Sequence, residues 1–443
     1  MFNKLQESVR YVGVGTLTVV VVLAAFVATP AHAVPELMTA YGDQMAWTSA
    51  EANAMGNTGT AVYRGGLSNI FNPAFLTAET GQRFEVNFLL DQEHEDRFQP
   101  LFDNFDSWVA DAAIASNRNH FWQSSFAFAF NAGTADQPVA IGLSMADRYS
   151  FDYKFEEELR NPNGRSIDNR DLVMEQRSFD VTGKLRNLSL GFGSEVYDGI
   201  SVGGAIHYAY GNRDESKSLR DYFADDGDGS FYSVNDQDFE GVNYTIGVRG
   251  VINERLEVGA AWESALLVKG DGLYNMTTLT DTISIMGDRS IRYPNIYRVG
   301  FTFRPQTDPR TVFTIEVEYK PWSELEDSEI PAGGNPQNLN DVTDVRVGLE
   351  HTFYNGSPLR FGFRHYDSYM DRDASISVFS TGIGAPIAGG MITANIELSK
   401  STSVMTHHFP YPTDFFGDQF TSADDARVED TRFRVGVGYK VEF

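Results

Sequence analysis

The chain has 443 residues, 42% hydrophobic and 13% aromatic, with a mean hydropathy of −0.29. Beyond the N-terminal region there is no run of about 18 apolar residues, which excludes spanning helices; a closed barrel stays open, because its strands are apolar on one side only. The net charge of −26 argues against a nucleic-acid partner, and the absence of cysteine removes disulfides, thiolate nucleophiles and cysteine-ligated metals.

Residues 1–33 read as a signal peptide. Lys4 and Arg10 supply the charged start, Val12 to Val27 the apolar core, and Ala31-His32-Ala33 a small-x-small cleavage box. Residues 34–82 show no alternation. They are small, glycine-rich and punctuated, as in Met55-Gly56-Asn57-Thr58-Gly59 and Gly65-Gly66. Asn72 suits a helix N-cap, Pro73 the first helical position, and Ala74-Phe75-Leu76 a short helix. The run Ser68-Asn69-Ile70-Phe71-Asn72-Pro73-Ala74-Phe75-Leu76, after Ala54-Met55-Gly56 and Gly59-Thr60-Ala61, resembles the N-terminal hatch of the FadL family of outer-membrane transport proteins. The resemblance implies a 14-stranded barrel whose bore is plugged by residues 34–82, with Asn72, Pro73, Ala74 and Phe75 in the hatch. The sequence departs from the commonest hatch ending by carrying Phe75 where glycine is usual.

After residue 82 the period becomes two, the signature of strands with one apolar face. Alternating segments fall near 83–91, 121–131, 138–154, 176–195, 199–212, 239–252, 254–268, 292–304, 311–321, 342–354, 358–369, 374–381, 390–399 and 430–443. These define an all-β membrane protein, an antiparallel transmembrane barrel of about 14 strands over residues 83–443. Between Leu185 and Leu188 the apolar parity slips, which predicts a β-bulge. Short links alternate with long ones such as 92–120, 213–238 and 400–429, as expected of periplasmic turns and external loops.

Several stretches invite a chemical reading. In 92–120, Phe98, Leu101, Phe102, Phe105, Trp108, Val109 and Ala112 fall at helical spacing. The expectation is a greasy helix at the mouth, either a capture patch for a lipophilic molecule or a lid packed on other loops. Asp225-Asp226-Gly227-Asp228-Gly229, with Asp236 and Asp238, lacks the full calcium-loop spacing and its closing glutamate and reads as a solvated acidic loop. Gly199-Ile200-Ser201-Val202-Gly203 matches the serine-hydrolase pattern, but it opens a strand with no helix after it, so no catalytic serine is assigned. No cofactor, metal or enzymatic activity is expected.

Arg249, Arg298, Arg304, Arg346, Arg360, Arg364, Arg432 and Arg434 share the lumen face with Glu257, Glu263, Glu316, Glu318 and Glu350. Paired charges are tolerated in a bore where free ones are costly. The reading is an ion-pair ladder, with Arg346 and Arg364 as candidate partners of a ligand carboxylate. The last strand ends on Phe443 and resembles the closing strand of outer-membrane barrels, whose terminal aromatic is read by the insertion machinery.

Taken together, the resemblance implies passive uptake of hydrophobic compounds, long-chain fatty acids or hydrocarbons, across the outer membrane of a Gram-negative bacterium. The cargo leaves when the hatch shifts or through a lateral gap in the wall. The alternative is a docking component of a protein secretion system. Expected partners are outer-membrane lipid and lipopolysaccharide, a hydrophobic small molecule and the barrel-insertion machinery, with no nucleic acid.

Overall fold

The computed structural model describes residues 39–443 apart from 45, 135–137, 161–171, 223–228, 279–281, 329–338, 370–374, 410, 412–420 and 423–424. The expected signal peptide and the acidic run Asp225 to Asp228 lie outside the described residues. Fourteen antiparallel strands close on themselves. They are β1 (Gln82–Phe102), β2 (Trp108–Asn131), β3 (Val139–Ser150, continuing as Tyr153–Arg160), β4 (Val173–Thr182, continuing as Lys184–Tyr197), β5 (Ile200–Asp221), β6 (Phe231–Asn253) and β7 (Leu256–Glu263, continuing as Leu266–Thr278). The circuit continues with β8 (Thr282–Tyr293, continuing as Ile296–Phe303), β9 (Thr311–Lys320), β10 (Val342–Thr352), β11 (Pro358–Tyr366), β12 (Ile376–Ile387), β13 (Gly390–Thr406) and β14 (Asp425–Glu442).

β14 pairs with β1 from Arg83↔Glu442 to Phe98↔Arg427. The last residue fastens the seam: the Phe443 amide donates to Gln82 O at 2.9 Å and the Gln82 amide to Phe443 O at 3.2 Å. Closure leaves no sheet edge in lipid, which is what makes a strand structure viable there. Alternate side chains point outward as an apolar band that includes Phe88, Trp122, Ile206, Val299, Phe361 and Leu398, all exposed. Among the described residues no helix is long and apolar enough to cross a membrane.

All fourteen alternating segments become strands, but the long links do not stay loops. β1 runs to Phe102 and β2 starts at Trp108, so the expected helix over 98–112 is a hairpin. Its aromatic residues satisfied a helical spacing by coincidence; the strand period divides them between two faces. The bulge expected between Leu185 and Leu188 is also misplaced. β4 pairs continuously with β5 from Leu185↔Gly211 to Ser194↔Val202, with Leu185 buried and Leu188 exposed. The extra residue is Arg148 on the neighbouring strand, where β3 pairs Asp147 with Arg186 and Tyr149 with Leu185.

That single residue reverses the faces of β3. Below it Ala140, Ser144 and Ala146 point inward; above it Tyr149, Phe151, Tyr153 and Phe155 do. The same reversal occurs at the break between Glu263 and Leu266 in β7, and at Pro294-Asn295 in β8, where Ile291 and Tyr293 give way to Ile296 and Arg298. The upper halves of three strands therefore turn apolar residues into the bore.

Candidate functional site

The bottom of the bore is filled by the hatch. Its elements are α1 (Ala50–Asn53), α2 (Ser68–Phe71) and a 3-10 turn, Pro73–Ala78. Asn72 caps that turn by accepting from the Ala74 amide at 3.1 Å, with Pro73 at the first position, as the sequence predicts. The Asn72 amide also donates to Thr60 O at 2.9 Å, Val248 O at 3.0 Å and Ala260 O at 3.3 Å, so one side chain ties the hatch to two wall strands. Phe75 is buried with its ring under the Arg249 guanidinium, 5.2 Å from Cζ to centroid. The wall makes room with glycine. A Cβ on Gly247 would stand 1.9 Å from Asn72 Oδ1, and one on Gly259 would stand 2.1 Å from Thr60 O.

Ser201, the serine of the hydrolase-like pentapeptide, lies in β5 and accepts a hydrogen bond from Thr77 of the hatch at 3.0 Å. His207, further along the same strand, is held between Ser189 at 2.7 Å and Thr245 at 2.9 Å. Among the described residues, no cluster of acidic and histidine side chains could hold a metal ion.

Above the hatch lies a layer of charge. Glu263 of β7 pairs with Arg148, reaching across to β3, and with Arg298 at 2.7 Å. Arg298 continues to Glu318 at 2.5 Å and touches the hatch at Ile70 O, 3.3 Å away. Glu318 then meets Arg346 at 2.7 Å, which also contacts Asp344 at 3.2 Å. Arg346 is thus enclosed by two carboxylates. Arg364 lies 3.9 Å from Glu397. The ladder expected from the alternating arginines and glutamates is present, and it also holds Arg249 to Glu257 at 2.8 Å and Arg432 to Glu93 at 2.9 Å.

Above this layer the mouth is aromatic. Tyr149 and Tyr293 stack at 4.4 Å, and Trp322 stacks on Tyr369 at 4.1 Å. Phe151, Tyr153, Phe155, Phe179 and Phe239 belong to the same buried cluster. This is the apolar surface that the site demands, and it is not the one the sequence suggested. Phe98 faces outward under Arg427, 4.6 Å from its ring centroid. Phe105 and Trp108 are exposed at the hairpin tip, with Trp108 Nε1 donating to Asp111 at 2.9 Å. Leu101 and Phe102 lie just below that tip on β1. The structure does not bring these five residues together with Arg346 or Arg364. The missed signal was the apolar run after Arg148, hidden by the one-residue change of face.

The wall beside this cluster has a seam. β2 and β3 share a backbone ladder only from Ser125↔Ala146 to Asn131↔Ala140. Higher up, side chains bridge the two strands: Asn119 Nδ2 donates to Lys154 O at 2.8 Å, and Asn117 Oδ1 accepts from the Glu156 amide at 3.0 Å. A cavity of about 30 Å³, room for one water, lies behind the seam among Phe121, Ser150, Asp152, Glu93, Arg432 and Asp43, and the short strand Asp43–Gln44 pairs with Ser150 and Tyr149.

Two residues of the link that follows β13, His407 and Tyr411, reach β1 and β3. His407 Nε2 meets Gln99 of β1 at 2.5 Å, while Tyr411 donates to Glu157 of β3. Burial first, then the guanidinium of Arg97 and that of Arg177, hold the His407 imidazole down to about 4; Asp425 opposes the shift and His408 adds to it. An undocked histidine titrates near 6.5. Docking therefore excludes a proton: it is complete above about pH 6.5 and weakens as pH falls towards 4. The NMR shift of the His407 ring should titrate near 4, and proteolytic cleavage of this link should rise below pH 6.

No protein-family model and no curated protein matches the chain. Among solved structures it is similar to a Pseudomonas aeruginosa FadL homologue, at 13% identity over 91% of this chain and 100% of that one, with a TM-score of 0.67. It is also similar to the P. putida toluene transporter TodX, at 12% identity, 88% and 97% coverage and a TM-score of 0.61. The Ralstonia pickettii toluene transporter TbuX follows at 16% identity, 88% and 97% coverage and a TM-score of 0.55. The fold is that of the FadL-like outer-membrane barrels. In this chain the hatch, the ion-pair layer and the aromatic mouth follow one another along the bore.

Proposed function

We propose that the protein is a passive outer-membrane channel for hydrophobic compounds, long-chain fatty acids or hydrocarbons. The observation that carries this reading is the order of layers: an aromatic mouth standing on a sheet of ion pairs, with a hatch beneath. Apolar cargo gains about 0.8 kcal/mol per methylene on entering such a mouth. It gains nothing by crossing buried charge, which would have to be stripped of its partners. Its way out is sideways, at the seam between β2 and β3, into the apolar part of the membrane. The named activities of the similar toluene transporters agree with this class of cargo.

The test is uptake by liposomes carrying the purified protein, with a fluorescent long-chain fatty acid and a volatile hydrocarbon as probes. Protein-dependent uptake of either supports the reading; binding of neither favours a docking role for the external hairpins. The chain has no cysteine, so a pair can be introduced cleanly. Asn119→Cys with Lys154→Cys, joined by a short bifunctional reagent, should lock the seam and lower uptake severalfold without changing initial binding. Unchanged uptake after cross-linking would rule out the lateral route.

A further inference from the structure

Some side chains in the aromatic mouth come from outside the wall strands, Trp322, Tyr369 and Phe409 among them. Phe409 belongs to the link between β13 and β14, yet it is 2% exposed and packs within the cluster. Its ring lies 6.4 Å from that of Phe231. Two cations face it: Lys217 Nζ at 4.8 Å and Arg177 Cζ at 5.8 Å from the centroid. Lys217 stands 5.7 Å from the Phe179 ring as well. The segment is delivered by its neighbours. His408 Nε2 lies 2.8 Å from Tyr153 Oη and 2.5 Å from a terminal nitrogen of Arg97, with its ring 4.7 Å from Phe155.

A phenylalanine side chain is a benzyl group on a tether. The seat it occupies is walled by rings and capped by positive charge, a combination that rewards a π-face beyond simple burial. An aliphatic group of equal size would recover the burial and lose the cation contacts. Phe409 stands in a link and not in the ladder of the wall, so its ring can give way to one arriving from outside without breaking a strand pairing.

We propose that Phe409 is an in-chain stand-in for cargo, and that its seat among Phe231, Lys217 and Arg177 is a subsite for a benzene ring, which enters by displacing it. This assignment rests on the uptake reading above and narrows the cargo to aromatic compounds at this subsite.

The experiment measures the binding of toluene and methylcyclohexane by the full chain in liposomes, relative to protein-free liposomes. Phe409→Ala removes the competitor and should tighten toluene binding by roughly ten- to a hundredfold, the worth of burying one such side chain. Phe409→Leu, which keeps bulk but no π-face, should give a smaller gain of the same sign and serves if the alanine variant fails to fold. In Phe409→Ala, toluene should be preferred over methylcyclohexane by roughly two- to thirtyfold. Adding Lys217→Met should shrink that preference. Unaltered toluene binding in both Phe409 variants overturns the subsite, as does an equal gain for both solvents that Lys217→Met leaves untouched. A fluorescent fatty acid separates the two levels: if it still binds while toluene gains nothing, only the subsite falls. If no probe binds any variant, the uptake reading falls with it.

Discussion

Glu316→Ala is expected to release the hatch and raise the ion conductance of the barrel. Glu316 Oε1 accepts from three consecutive hatch amides, Gly59 at 2.7 Å, Thr60 at 2.5 Å and Ala61 at 3.2 Å, and the residue is 2% exposed. Alanine would leave three buried donors without an acceptor, at about 1–3 kcal/mol each. The wall tie that remains at this point is Thr302 Oγ1 to Ala61 O at 2.7 Å. A loss on the order of 5 kcal/mol is comparable to the whole stability of many domains, so the segment should detach while the ladder of the wall persists. Planar-bilayer recordings should show raised conductance in Glu316→Ala and far less in Glu316→Gln, whose amide oxygen still accepts. Equal conductance in wild type and Glu316→Ala would mean that this carboxylate does not hold the hatch.

The second large effect concerns two adjacent glycines. Gly203 and Gly204 lie side by side in β5, on opposite faces of the wall. A Cβ on Gly203 would stand 2.3 Å from Ala74 N and 2.4 Å from the Pro73 carbonyl carbon, both backbone atoms of the hatch. On Gly204 the nearest such atom is Thr245 O at 4.0 Å. Gly203→Val should therefore expel the Pro73 turn, while Gly204→Val should be tolerated and add one more apolar group to the outer band. Protease cleavage within residues 60–80 should appear only in Gly203→Val, with both variants keeping the mobility of a folded barrel on unheated gels. Cleavage in neither would show that the wall can move aside. The clash is with backbone, which cannot swing away as a side chain does.

Much of this architecture is legible in the order of residues. A strand exposes its facing through a period of two, so Thr314, Glu316 and Glu318 can be set inside, and Ile315, Val317 and Tyr319 outside, by counting alone. The burial of Glu316 and Glu318 and the exposure of Val317 agree. The cap at Asn72 and Pro73 is equally local, since it depends on one side chain and the amide two residues on. Charges of opposite sign on neighbouring inward positions announce their pairing, as Arg249 and Glu257 do.

The candidate site was less legible, because it depends on register. Phe98, Leu101, Phe102, Phe105 and Trp108 match a helical spacing over a stretch too short to distinguish it from two strands and a turn. Nothing local says that β2 takes up the partner. The inward facing of Tyr149, Phe151, Tyr153 and Phe155 has no local mark, since one inserted residue, Arg148, changes every face after it. That Phe409 would fold back into the mouth depends on contacts with strands far away in the chain, at Phe231 and Lys217.

The sequence by itself determined the number of strands and the outer and inner faces of their lower halves. Both follow from side-chain alternation, and lipid admits no other use of so many half-apolar strands. Only the tertiary structure decided where strands change face, which apolar residues line the mouth, and where the wall loses its ladder. Those are settled by the register between strands and by packing across the bore, where a shift of one residue exchanges lipid for lumen.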